Sequence, residues 1–192
     1  METSLRLNIQ NSMKNQSITV RDIVYIALMI ALIEVCKSAL LFLPNIELTS
    51  FWIIMFMLFY GRKTYIIIPA FILVEGCLYG FGLWWIMYLY AWPLLGIVTW
   101  IFRKQDYALF WSVVSSVFGL IFGFLCSFPY FFIGLTSGGI RSGLVTQFSW
   151  WVAGIPWDIA HGVGNFVLMF VLYKPVSKVM RKIFRNEIYM EL

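Results

Sequence analysis

Five ionisable side chains stand inside long apolar runs of this sequence: Glu34 and Lys37 in the first, Glu75 in the third, Asp158 and His161 in the last. Such a group in a hydrocarbon setting costs roughly 2.5–3.5 kcal/mol or more, so it faces the interior of a helix bundle and marks a path or a site. Glu34 and Lys37 are three apart, share a helix face and can pair. Trp151, Gly154, Asp158, His161 and Asn165 follow a 3-4-3-4 spacing, one stripe of a helix. Trp84, Tyr88 and Trp92, at i, i+4 and i+8, form another. Aromatic walls with a few converging polar groups are the usual make-up of a small-molecule site. Planar rings stack on such walls. Cations gain from tryptophan faces and from Glu34, Glu75 or Asp158, whereas Lys37 and His161 suit a carboxylate or phosphate.

Each feature has a plainer explanation as well. Tryptophans such as Trp84, Trp85, Trp150 and Trp157 form belts at membrane surfaces. Glu34–Lys37 can be a structural pair, Asp158–His161 an interhelical knot, and Glu47 and Arg141 solvated loop charges. Acid–base chemistry would need groups like Asp158, His161 and Glu75. However, the sequence has no HExxH, GxSxG or paired-aspartate motif, and its single histidine makes a metal site improbable. We therefore expect neither an enzyme nor a cofactor.

The elements that must hold these residues are helices. Of 192 residues 61% are hydrophobic and 12% charged, against soluble averages of roughly 45–50% and about 25%. A soluble domain of this size cannot hide that much apolar surface; lipid can. The net charge of +5 is spread over the ends of apolar runs, which excludes a nucleic-acid face. Cys36, Cys77 and Cys126 lie within apolar segments without CxxC spacing and read as small hydrophobes. A polar segment (1–20) precedes a membrane domain (21–174) and a basic tail (175–192). The start of the chain lacks the apolar core of a cleavable signal peptide.

A spanning helix takes about 20 apolar residues. The runs fall at 22–43, ended by Pro44; at 51–60, short for a span; at 65–79; at 83–102, with Pro93 as a kink; at 107–135; and at 144–173. The Gly/Ser-rich stretch 136–143 reads as a loop. With the amino terminus inside, 12 of the 14 Lys and Arg residues become cytoplasmic, leaving only Lys37 and Arg141 outside. The expectation is an all-α membrane protein of six transmembrane helices, both termini cytoplasmic, multi-pass in the cell (inner) membrane. Its ionisable groups then lie at mid-depth or in the outer half, above apolar inner halves.

From about residue 19 to 182 the chain resembles the substrate-binding S components of energy-coupling factor (ECF) transporters. The resemblance rests on the helix count and orientation, on the segment 27–31 (ALMIA), on 44–50 (PNIELTS) followed by Gly61-Arg62-Lys63, and on 154–161 (GIPWDIAH) with Asn165. It implies capture of a vitamin or related micronutrient from outside, and association with a transmembrane coupling protein and two cytoplasmic ATPases. In the family the subunit is thought to topple in the membrane and does not hydrolyse ATP; consistently, no GxxxxGK[ST] loop occurs here. Ala27 and Ala31 match the family's docking motif; small residues four apart let helices approach closely. Segments 45–50, 80–82 and 136–143 would lie over the site as a lid, with Gly134, Gly138, Gly139 and Gly143 permitting motion. A stand-alone secondary transporter or channel is the alternative, but such proteins carry polar groups through their full depth, often with inverted repeats.

Overall fold

The computed structural model describes residues 18–43 and 45–184. The polar segment with Arg6 and Lys14, Pro44, and the tail from Arg185 lie outside the described residues. Among those described there is no strand: the chain is all-helical. The elements are α1 (Val20–Ala39), α2 (Thr49–Phe59), a single 3-10 turn (Gly61–Lys63), α3 (Thr64–Tyr79), α4 (Leu83–Ile101), α5 (Ala108–Cys126) and α6 (Phe128–Ile183).

Helix α1 starts on a capping box. The Thr19 hydroxyl accepts from the Asp22 amide at 3.2 Å, and the Asp22 carboxylate accepts from the Thr19 amide at 2.8 Å. A cap of this kind contributes about 1 kcal/mol. Asp22 is 1% exposed and also accepts from the Tyr60 hydroxyl and from Lys63, both at 2.7 Å. It thus ties the start of α1 to the turn that follows α2. The same end of the bundle gathers much of the positive charge. Arg62 and Arg103 lie over the Trp100 ring, and Arg181 over Phe59 while bonded to Asp106.

The central element is the shortest. Helix α2 has 11 residues, about 16 Å at 1.5 Å per residue, and nine of them are buried. It packs against α1, α3, α4 and α6. A short apolar helix that is shielded on all sides is a core helix and need not cross a bilayer by itself. At its start, Ser50 meets Asn165 of α6. The segment before it descends into the bundle, where Ile46 packs on Gly164.

Helices α5 and α6 form a hairpin. The expected boundaries differ here. The expected run 107–135 is interrupted at Ser127, and the expected loop 136–143 holds the point where the chain reverses: Gly138 and Gly139 are non-helical and split α6 into two stretches, with Phe131 and Gly134 before the turn facing Gly143 and Thr146 after it. Gly139 has φ 72 and ψ −167, backbone open in practice only to glycine. The Thr136 and Ser137 hydroxyls donate to the Ile133 carbonyl, so these polar residues continue the helix instead of leaving it. Below the tip, Gly119 and Gly162 meet: a Cβ on Gly119 would lie 2.9 Å from the Gly162 backbone.

Two helical stretches are long and apolar enough to cross a membrane, Leu83–Ile101 and Ala108–Ile183, the second being the hairpin. Helix α1 has the length but carries Arg21, Asp22, Glu34 and Lys37; α2 and α3, with 11 and 16 residues, fall short. Large apolar side chains face outward on most helices, among them Leu28, Leu73, Ile97, Val117, Val163 and Phe170.

The glycine contact gives a test. Gly119→Ala should destabilise the protein by about 1–3 kcal/mol, the usual cost of forcing atoms into a packed contact. Gly154→Ala, where a Cβ meets nothing within 4 Å, should stabilise it by about 0.5–1 kcal/mol through helix propensity. Thermal unfolding of the purified variants in one detergent measures both; equal midpoints would refute the close approach.

Candidate functional site

A cavity of about 250 Å³ lies at the end of the bundle opposite the basic cluster. Its wall is made by Lys37 and Leu40 at the end of α1, by Leu41, Leu43 and 45–47 of the segment that follows, by Tyr88 of α4, Phe122 of α5 and His161 of α6. The cavity exists because α1 ends at Ala39 and α2 begins only at Thr49. The intervening backbone turns on Leu40–Leu43, passes through Asn45 with φ 56, and leaves room above the amino end of α2.

Charge is concentrated on one flank. Lys37 pairs with Glu75 of α3, not with Glu34 one turn away on its own helix. The Glu34 carboxyl instead lies against that of Glu75. Both Glu34 oxygens and Oε1 of Glu75 have no hydrogen-bond partner within the protein, and Glu75 is 1% exposed. Lys37 also reaches the Tyr88 hydroxyl at 3.4 Å, and its Nζ lies 5.2 Å from the Tyr88 ring centroid and 5.6 Å from that of Tyr79. At the mouth, Glu47 accepts from the Thr49 hydroxyl at 3.2 Å.

The opposite flank is aromatic. Tyr88, Trp92 and Phe122 pack mutually, with centroids 5.3 to 6.5 Å apart. Phe122 meets the His161 ring at 5.0 Å. His161 is 2% exposed and Trp92 fully buried, yet His161 Nε2 and Trp92 Nε1 have no partner within the protein. Buried polar atoms are nearly always bonded, so a cluster of exceptions calls for an explanation.

The expected residues therefore divide. Lys37, Tyr88 and His161 line the cavity, Glu34 and Glu75 adjoin Lys37, and Trp92 stands behind Tyr88 and Phe122. Four lie elsewhere. Trp84 packs edge-on to Tyr88. Asp158 is turned to the α5 backbone, accepting from the Gly123 amide at 2.9 Å, and does not bond His161. Asn165 is a structural knot: its amide donates to the Ser50 hydroxyl and the Ser115 carbonyl, both at 3.2 Å. Trp151 packs on Phe124 and Phe148 and lines a second, apolar groove at the base of the hairpin. That groove is larger, about 670 Å³, but its polar groups Gln147 and Ser127 already bond each other, so it offers shape without unmet hydrogen bonds. Sequence reasoning missed Phe122, placed Asn45 and Ile46 in a lid segment rather than in the wall, and read Glu47 as a solvated charge; a Glu-x-Thr pair just ahead of an apolar helix was the available sign.

Ala27 and Ala31, by contrast, are exposed on α1. Among the described residues no three His, Cys, Asp or Glu side chains converge as a metal ion would require. No protein-family model matches the chain, and no curated protein or solved structure is significantly similar to it. The functional reading therefore rests on the site itself.

The ion pair yields a sharp expectation. Lys37→Met leaves the buried Glu75 carboxylate without its partner and should cost about 3–5 kcal/mol, whereas adding Glu75→Gln should recover much of the loss. A double-mutant cycle on thermal stability measures this; additive effects would mean that the pair does not couple α1 to α3.

Proposed function

We propose that the chain is the S component of an ECF-type transporter: a six-pass protein of the cell (inner) membrane, both ends cytoplasmic, that captures a small vitamin-like molecule from outside. A transmembrane coupling protein and two cytoplasmic ATPases would complete the transport cycle. One observation carries the reading. The unpartnered carboxyl and ring atoms of Glu34, Glu75, Trp92 and His161 gather at and behind a cavity at one end of the bundle, while elsewhere the unbonded groups of Thr64, Ser115 and Ser177 are single hydroxyls. Trp92, Phe118 and Phe122 close the floor. Beneath it lie Ile33, Ile54, Ile67, Ile68, Phe71 and Leu95, each no more than 1% exposed. A site open on one side above an apolar plug suits capture followed by delivery with a partner. It does not suit a channel, which needs polar lining throughout.

The placement of charge favours the orientation. The basic end holds Arg62, Lys63, Arg103 and Arg181, the pattern of a cytoplasmic face. The short α2 is compatible with six passes because Ile46, Glu47 and Leu48, each half-buried, extend that crossing beyond the helix. Irregular backbone at membrane depth is tolerated where it is enclosed by protein or lines a cavity. The exposed Ala27 and Ala31, with Leu28 and Leu32 also exposed, offer a smooth strip on which a partner helix can lie close. The cavity, near the lower end of the roughly 300–1,000 Å³ typical of ligand pockets, favours a one- or two-ring molecule over a macrocycle.

Native mass spectrometry of the purified protein should reveal one copurifying small molecule, bound without ATP. Ala27→Trp or Ala31→Trp should leave that binding intact and stop uptake by the assembled complex. Proteoliposomes holding this chain alone should take up none of the molecule. Robust uptake by the lone chain would overturn the proposal, and loss of binding in the alanine variants would overturn the docking assignment.

A further inference from the structure

Acid outnumbers base around the cavity. Glu47 lines it, and Glu34 and Glu75 stand just behind Lys37, so three carboxyl groups are set against one ammonium, which is already bridged to Glu75. Two of the carboxyls, those of Glu34 and Glu75, touch each other, and between them three oxygens lack a partner within the protein. Like charges pressed together in an apolar surrounding repel strongly unless a positive group or a proton lies between them. An independent sign of a ligand comes from His161, which lines the same cavity, is 2% exposed, and leaves Nε2 unbonded.

Lys37 shows what this wall accepts. Its ammonium is held by a carboxylate and flanked by the Tyr79 and Tyr88 rings, the arrangement by which aromatic faces and acids bind organic cations. An anionic ligand meets the opposite. Among the described residues that line the cavity, Lys37 is the sole Lys or Arg, and the amino end of α2 is already faced by Glu47.

We infer that the captured molecule is a small planar organic cation, a one- or two-ring heteroaromatic compound bearing a protonated amine or quaternary nitrogen. Its positive centre sits by Glu34 and Glu75, and its ring lies along Tyr88 and Phe122. His161 Nε2, which lines the cavity, then serves a ring substituent that carries a lone pair or a hydroxyl. This inference rests on the capture reading above and names the substrate class for that site.

Three indole compounds of one shape and different charge test it: tryptamine (cation), tryptophol (neutral) and indole-3-acetate (anion), titrated by calorimetry into full-length protein in nanodiscs. Tryptamine should bind at one site at least about tenfold more tightly than the other two, the scale of a buried charge pairing. Glu34→Gln and Glu75→Gln should each abolish that preference. Glu34→Gln keeps the Lys37–Glu75 bridge, so it reports on charge even if Glu75→Gln fails to fold. Preference for indole-3-acetate or tryptophol, or a cation preference that survives both substitutions, overturns the substrate class while leaving capture intact. Absence of saturable binding by all three overturns both.

Discussion

A helix that begins half-way through a bundle sets the terms for everything above it. The first turn of an α-helix presents amide groups with no partner in the helix. Those of α2 start at Thr49, itself fully buried, with no side-chain cap from Leu48. The chain that leads there has to run as irregular backbone between packed helices, and such backbone survives where protein encloses it or where it borders a polar cavity. Here Leu41 and Phe42 stay exposed, and Asn45, Ile46 and Glu47 border the cavity. Ile46 plugs against Gly164, Glu47 and Thr49 bond across the start of the helix, and the remaining space becomes the cavity. The site is thus a consequence of where α2 starts.

The same economy of partners explains which carboxylate Lys37 chooses. A pairing with Glu34, three residues back on one helix, belongs to a class worth about 0.2–0.5 kcal/mol. Glu75 is 1% exposed, and a buried carboxylate without a cation costs several kcal/mol. Lys37 therefore bridges α1 to α3, and Glu34 is left beside the pair with an unmet charge. The polarity of the site follows: the bridge uses up the local cation and leaves acid in excess.

How far the sequence foretold this depends on what helical spacing can report. Period 3.6 tells which face a residue takes, and on that count the stripe of Asp158, His161 and Asn165 is buried throughout. Spacing does not tell height or partner. Trp151 belongs to the same stripe, but it packs on Phe124 of the hairpin's other arm and faces a different groove. Asp158 turns to an amide freed by the lack of a side chain at Gly123, where a Cβ would lie 2.2 Å from the carboxylate. Gly/Ser content placed a loop at 136–143, and the reversal falls within it at Gly138 and Gly139; hydroxyls that bond back along the helix keep the loop shorter than composition suggests. Helix α2 read as a short span because apolar content alone cannot separate lipid contact from burial in protein.

The packed half of the bundle bears on how a bound molecule could leave. The floor of three aromatic rings sits directly on side chains without measurable exposure, among them Ile54 and Leu95. Interiors at crystal-like density open by moving whole elements, not by side-chain rotation. The tight Gly119–Gly162 contact and the Lys37–Glu75 bridge resist sliding of α5 on α6 and of α1 on α3. Under the capture reading, release toward the cytoplasm thus calls for movement of the bundle as a body, with the surrounding lipid or a partner yielding. Its outer surface suits such movement: apolar residues cover most helices, and Ala27 and Ala31 leave a shallow strip along α1. A protein whose interior is locked and whose exterior is smooth can move its site most cheaply by changing its own orientation.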